Sequence, residues 1–242
     1  MRKSKKIALA SIAAVLLALV IGCGIYVSDY YRADETALAA LITTEQVTVE
    51  QRDGMTIFLP SQAETGLLFY PGGKVQAQAY APLMKALAEQ KVLCVLLEMP
   101  FHLAVLDMDA AAGVPEQFPQ IRNWYIGGHS LGGSMAASYA AKAPKGLNGI
   151  VLLAAYSTED LKEIGLKVLS IYGTEDGVLN MEKYQQYRVN LPEGALEYRI
   201  EGGNHAGFGS YGAQDGDGEA ALAAQEQTAM TASAIVAFFA EE

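Results

Sequence analysis

The sequence predicts a single α/β domain with a mostly parallel central sheet, helices on both faces and no inserted lid domain, preceded by one transmembrane helix. Three features carry that expectation. From about residue 66 onward, apolar β-type runs alternate with helical segments, the pattern of a parallel sheet covered on both sides. One strand-to-helix junction reads Gly128-His129-Ser130-Leu131-Gly132, a tight turn that presents a serine at the edge of the sheet. Residues 7–28 form an uncharged, mostly apolar run, and about 20 such residues suffice to cross a bilayer.

The leader comes first. Arg2, Lys3, Lys5 and Lys6 precede the apolar run, and a basic flank stays in the cytoplasm, which places the following domain outside. Residues 1–28 are therefore expected to be an uncleaved signal-anchor. Two alternatives stay open: a lipoprotein acylated at Cys23, because Val20-Ile21-Gly22-Cys23 resembles a lipobox, and a cleaved secretory peptide. Tyr26, Tyr30 and Tyr31 fall where an interfacial aromatic belt belongs. Residues 29–44 read as a juxtamembrane connector with a short Ala-rich helix, and residues 45–242 as the catalytic domain.

Within that domain, 47–49 and 56–59 read as short strands joined by a turn at Asp53-Gly54. Residues 66–70 are a buried-type strand ending at Pro71-Gly72-Gly73. A helix over 76–90 follows, with Tyr80, Leu83, Met84 and Leu87 on one face. Next come a strand over 92–97, a helix or partial helix over 104–112, a strand over 124–127 and a helix over 131–143 that closes before Pro144. Strands at 150–155 and 167–172, a helix over 180–190, a strand at 196–200 and a final helix over 218–239 complete the alternation. The stretch 156–166 is too short for a lid domain, so the site is expected to be open or covered only by loops.

Hydrophobic residues make up 51% of the 242 and charged residues 18%, a balance that indicates a globular chain and not a disordered one. The net charge is −10, and residues beyond 28 hold 13 basic side chains against 27 acidic ones. That excess disfavours nucleic acid or an anionic lipid surface as partner of the folded domain. Cys23 and Cys94 build no disulfide framework, and Cys94 lies in a strand as a small core residue. There is no nucleotide fingerprint or zinc ligand set, and no cofactor is expected. Asp215-Gly216-Asp217-Gly218-Glu219 lacks the remaining positions of a calcium loop and reads as a solvated loop.

A serine hydroxyl becomes a useful nucleophile only beside a base, and the base needs an acid to orient it. The chain has three histidines. His129 adjoins Ser130, but the turn directs its side chain away, so it reads as a packing residue. His102 is a loop residue near the expected mouth. His205 follows the last strand in Gly202-Gly203-Asn204-His205-Ala206-Gly207, where ligands of open α/β sheets bind, and is the candidate base. Asp176, in Gly173-Thr174-Glu175-Asp176-Gly177 after the preceding strand, is the candidate acid, with Glu175 as the fallback. Ser130 is the candidate nucleophile, and the order Ser130, Asp176, His205 is that of nucleophile-elbow enzymes. Backbone donors for a developing oxyanion are expected at Leu131, at the positive start of its helix. A second donor is expected after strand 66–70, with Gly73 first and Lys74 next.

These motifs resemble the α/β-hydrolase superfamily over roughly residues 45–240. Tyr70-Pro71-Gly72-Gly73 with Tyr80-Ala81-Pro82-Leu83 is similar to its compact dienelactone-hydrolase-like and small-carboxylesterase members. The resemblance implies a serine hydrolase that cleaves a carboxylic ester or related acyl bond of a small molecule through an acyl-enzyme. Its roles fall on Ser130 as nucleophile, Asp176 as acid, His205 as base, and Leu131 and Gly73 as oxyanion donors. Two departures limit it: Pro71 stands where such enzymes often carry histidine, and dienelactone hydrolases proper use cysteine where this chain has Ser130. Thioester, lactone or amide substrates, acyl transfer to another acceptor, and an inactive surface binding protein remain alternatives, and the oligomeric state is unknown. A base that must be neutral to act makes activity fall below about pH 6 to 7.

Overall fold

The computed structural model describes residues 2–241, in two units, Met1–Tyr30 and Tyr31–Glu242. The first is helix α1 (Arg2–Ser28). Ile12, Val15, Leu16, Leu19, Val20 and Ile25 are all exposed on it, so it is apolar around its circumference. Over Ser11–Ser28 it is long and apolar enough to cross a membrane, and the same length and composition fit a signal sequence.

The second unit opens with α2 (Glu35–Ala40), whose first turn is capped by the Asp34 carboxylate accepting the Ala37 N–H at 2.9 Å. Then follow β1 (Val47–Arg52), β2 (Met55–Pro60), β3 (Thr65–Tyr70), α3 (Ala81–Glu89), β4 (Val92–Leu97), β5 (Asn123–His129) and α4 (Leu131–Ala140). The chain closes with β6 (Leu147–Leu153), β7 (Lys167–Gly173), α5 (Met181–Tyr187), β8 (Leu196–Ile200) and α6 (Ala224–Ala240). The eight strands form one sheet in the order β1-β2-β4-β3-β5-β6-β7-β8. Strands β3 to β8 are mutually parallel, and the β1–β2 hairpin joins β4 antiparallel.

Both faces of the sheet are buried, which is why its central strands read as unbroken apolar runs. Leu67 and Phe69 of β3 pack with Tyr80, Leu83 and Leu87 of the α3 side and with Ile235 and Phe238 of α6. Leu68 and Tyr70 point the other way, into a second core with Trp124, Ile126, Ala136 and Ala140. Small residues on α4 let that helix lie close to the sheet. Because the parallel strands share a direction, the loops after β3, β4, β5, β7 and β8 all emerge on one edge.

The structure corrects four local expectations. Residues 104–112 hold only a 3-10 turn, Ala104–Leu106, because Tyr70 reaches into this stretch, its hydroxyl donating to the Met108 carbonyl and accepting the Ala111 N–H. The helix expected over 131–143 ends at Ala140, before a turn in which Ala143 takes φ 49°. The helix expected over 180–190 gives way after Tyr187 to a 3-10 turn, Arg188–Asn190. The last helix starts at Ala224 and not at 218. Residues 218–222 are pulled back to the β8 loop, with Ala221 N–H donating to the Gly202 carbonyl at 2.8 Å and Asn204 Nδ2 to the Gly218 carbonyl at 2.8 Å. Between Leu153 and Lys167 there is no helix or strand, so no lid domain is inserted.

Candidate active site

Ser130 sits at the C-terminal end of β5 with φ 53° and ψ −123°, a strained conformation for a residue with a side chain. The turn is held by the Ser130 N–H donating to the Leu153 carbonyl at 2.9 Å and by two glycines. A Cβ on Gly128 lands 2.6 Å from the Gly132 carbonyl carbon, and one on Gly132 runs into the carbonyls of Pro71 and Tyr70. Strand end, helix start and the loop after β3 therefore meet at backbone contact.

Leu131 begins α4, so its N–H has no partner inside the helix. Gly73 faces it: a Cβ there lies 2.9 Å from Leu131 Cδ2. The alternative donor, Lys74, has its N–H committed to the His102 carbonyl at 2.8 Å. Of the two candidate second donors, Gly73 therefore lies against Leu131, and Lys74 has its N–H taken.

His205, in the loop after β8, and Asp176, in the loop after β7, form a buried pair. Nδ1 lies 2.9 Å from Asp176 Oδ2, and both side chains are 1% exposed. The other carboxylate oxygen of Asp176 accepts the N–H groups of Val178 at 2.9 Å and Leu179 at 2.7 Å. Three-point fixation of this kind leaves the carboxylate no freedom to turn away. Glu175, the fallback, is exposed and accepts from the Thr174 hydroxyl instead. His205 Nε2 is buried and has no hydrogen-bond partner. An orphaned buried nitrogen is costly unless a function reserves it.

Sequence reasoning missed two supports of this pair. Asp217 is no solvated loop residue. Its Oδ1 accepts from Gly177 N–H at 3.0 Å, Gly218 N–H at 2.9 Å and His205 N–H at 3.2 Å, and its Oδ2 from Ala206 N–H at 2.8 Å. One carboxylate thereby ties the acid loop to the base loop. Gln227 of α6, 1% exposed, accepts the Asn204 N–H at 3.0 Å and donates to the Asn204 carbonyl at 2.8 Å. The sole hint in the sequence was a carboxylate between two glycines, a pattern shared with ordinary loops.

His129 points away from the serine, as expected of a packing residue, and lies beneath His205 with ring centroids 4.3 Å apart. Its Nδ1 is 2.8 Å from the Tyr80 hydroxyl, which also accepts the Gly72 N–H at 3.0 Å. Tyr80 thereby bridges the Gly72 backbone and the His129 ring. Burial, and then the proximity of His205, holds the His129 pKa well below the ordinary histidine value. His102 lies in the loop after β4 and contributes its carbonyl to Lys74. Burial lowers its pKa. A cavity of about 750 Å³ lined by Pro60, Gln62, Lys91 and Arg122 opens at the opposite edge of the sheet, remote from all of these groups.

The sequence profile of the alpha/beta hydrolase family matches residues 66–229, most of the chain. The chain belongs to that family. Among solved structures it is similar to TT1662 from Thermus thermophilus, with 14% identity over 81% of this chain and 100% of the other and a TM-score of 0.60. A dienelactone hydrolase from Anabaena variabilis ATCC 29413 gives 14% identity, 81% and 98% coverage and a TM-score of 0.58. Carboxylesterase CesB from Bacillus subtilis gives 14%, 71% and 89%, and 0.53. At such identities the likeness speaks for the fold alone. Comparison with curated protein sequences finds no significant match.

Proposed function

We propose that this alpha/beta hydrolase is a serine hydrolase of carboxylic esters or related acyl bonds, with Ser130 as nucleophile, His205 as base and Asp176 as orienting acid. The observation that carries the reading is the buried His205–Asp176 pair, 2.9 Å apart, with a free Nε2 on the same sheet edge as a strained serine. Ser130 Oγ attacks the substrate carbonyl while its proton passes to His205 Nε2. The oxyanion is held by the N–H groups of Leu131 and Gly73. Collapse expels the alcohol, which takes the proton from His205 and leaves the acyl group on Ser130. Water then attacks that ester, giving its proton to His205. The carboxylic acid departs as the proton returns to Ser130, for a net conversion of ester and water to acid and alcohol. Asp176 stays ionised and holds Nδ1–H throughout.

Treatment with a fluorophosphonate probe tests this. Wild type is expected to label and Ser130→Ala to be silent, whereas an unlabelled wild type rejects the reading. The dienelactone hydrolase and the carboxylesterase among the similar structures favour an acyl substrate of this class. We also propose that α1 is an uncleaved anchor with the catalytic unit on the extracytoplasmic side. The mass of the N-terminal peptide distinguishes that from a lipid on Cys23.

A further inference from the structure

Two features that the proposed chemistry leaves unused lie on the edge of the sheet that carries Ser130. The first is where the chain joins the domain. Tyr31 N–H donates to the Lys74 carbonyl at 2.8 Å, and Gln76 N–H to the Tyr31 carbonyl at 2.9 Å, so Tyr31 pairs directly with the loop that offers Gly73. On its other side, the Tyr31 hydroxyl accepts the Asp215 N–H at 3.1 Å, its ring lies 5.5 Å from that of Tyr211, and Asp34 N–H donates to the Ser210 carbonyl at 2.9 Å. The segment is stitched between the oxyanion loop and the loop that follows His205. Only Asp29 and Tyr30 separate it from Ser28, the last residue of α1. Three Cα steps reach at most about 11 Å, whatever angle α1 takes, against a domain breadth of about 40 Å for a chain this long.

The second feature is the loop after β4. Ten large apolar side chains of the described folded unit are exposed, and four of them fall within eight residues: Phe101 at 61%, Val105 at 49%, Leu106 at 56% and Met108 at 37%. This loop borders the site. His102 receives the Lys74 N–H, Met108 receives the Tyr70 hydroxyl, and the turn Ala104–Leu106 packs on α4, the helix that Leu131 begins. A cluster of exposed apolar groups marks a surface that meets something apolar. Beside a tether of this length, that something is the bilayer. The acidic domain suits a neutral or zwitterionic surface and not an anionic one.

We infer that the enzyme takes its substrate from the membrane that holds α1. On this account the substrate class is a bilayer-resident, long-chain acyl ester, and Phe101, Val105, Leu106 and Met108 enter the interface beside the site. The inference rests on the acyl-hydrolase reading and on the proposal that α1 stays as an anchor, and names the substrate class.

The test uses the full chain in vesicles of ether-linked phosphatidylcholine, with two probes that share a leaving group: 4-methylumbelliferyl acetate in water and 4-methylumbelliferyl oleate in the bilayer. Inserting a 20-residue Gly-Ser spacer between Asp29 and Tyr30 adds a reach of about 25 Å and touches no catalytic group. It is expected to lower the oleate-to-acetate rate ratio about tenfold through lost effective concentration, with the acetate rate unchanged. Independently of activity, a fluorophore on Leu106→Cys in a Cys23→Ser background is expected to shift to the blue on vesicles, and one on Gln62→Cys, exposed in the turn that enters β3 at the opposite edge, to stay unshifted. An unchanged ratio with the spacer, no shift at 106, or cleavage of acetate ester without oleate ester overturns the inference while leaving the hydrolase intact. Failure to cleave either ester rejects the hydrolase reading itself and this inference with it.

Discussion

The elbow half of the candidate site and the half that holds the proposed acid–base pair are fixed by different physics. At the ends of β3 and β5, backbone meets backbone: Gly128 lies against Gly132, Gly132 against the Pro71 and Tyr70 carbonyls, and Gly73 against Leu131. Nothing there yields without moving a strand or a helix. At the ends of β7 and β8, side chains do the holding. Asp217 spans the two loops with three N–H contacts, at Gly177, His205 and Ala206, and Gln227 reaches in from α6. The first arrangement has sharp tolerances and a short code in the chain. The second is spread over some fifty residues and is expected to loosen by degrees.

The sharpest break of this contrast is at its chemical centre. Asp176→Asn is expected to lower kcat by about 10⁴-fold, because an amide offers Nδ1 the wrong partner and misdirects the tautomer. A loss of tenfold or less in steady-state ester hydrolysis removes Asp176 from the mechanism. On the elbow side, Gly132→Ala forces a methyl onto two carbonyls with no flexible neighbour to give way. Overpacking of this kind costs about 3 kcal/mol, and shifting an oxyanion donor costs about 10²–10³ in kcat. Urea unfolding and kinetics on a fragment from Asp29 onward read both. Asp217→Ala belongs to the looser half and is expected to cost about tenfold in kcat and about 1–3 kcal/mol in stability. KM should stay unchanged and fluorophosphonate labelling should slow in parallel, since Asp217 positions His205 without touching substrate. If Asp217→Ala proves as damaging as Gly132→Ala in rate, the graded behaviour assigned to this half is wrong.

The same contrast explains what was legible in the sequence. The elbow is local: five residues fix the turn, and the apolar runs around it state that both faces of the sheet are covered. Strands β4 and β8 lie at 92–97 and 196–200, where their composition puts them. Asp217 was not legible, because its work depends on loops that fold together from residues 177 and 205–206. The late start of α6 has the same origin. Residues 218–222 are Ala-rich enough for helix, but the β8 loop claims their carbonyl and N–H groups first. The stretch 104–112 lost its helix to the Tyr70 hydroxyl, a partner more than thirty residues away. Local propensity failed wherever a distant polar group took the backbone.

His129 joins the two halves, since it belongs to the elbow but lies under His205. Its ring is neutral in the folded protein and protonates freely when unfolded. Below the ordinary histidine value near 6.5, the unfolded chain therefore binds a proton that the folded chain refuses. The stability contributed by this neutral ring is complete above that pH and is lost as pH falls towards the depressed folded value, by at most about 1.4 kcal/mol per pH unit. His129→Gln keeps a group able to hydrogen-bond Tyr80 but cannot titrate. The stability gap between wild type and this variant is thus expected to narrow between about pH 6.5 and 5, read by urea unfolding across that range. A gap that stays constant means that the ring under the base is not held neutral. In that case the Tyr80–His129 bridge transmits no constraint from the Gly72 loop to His205.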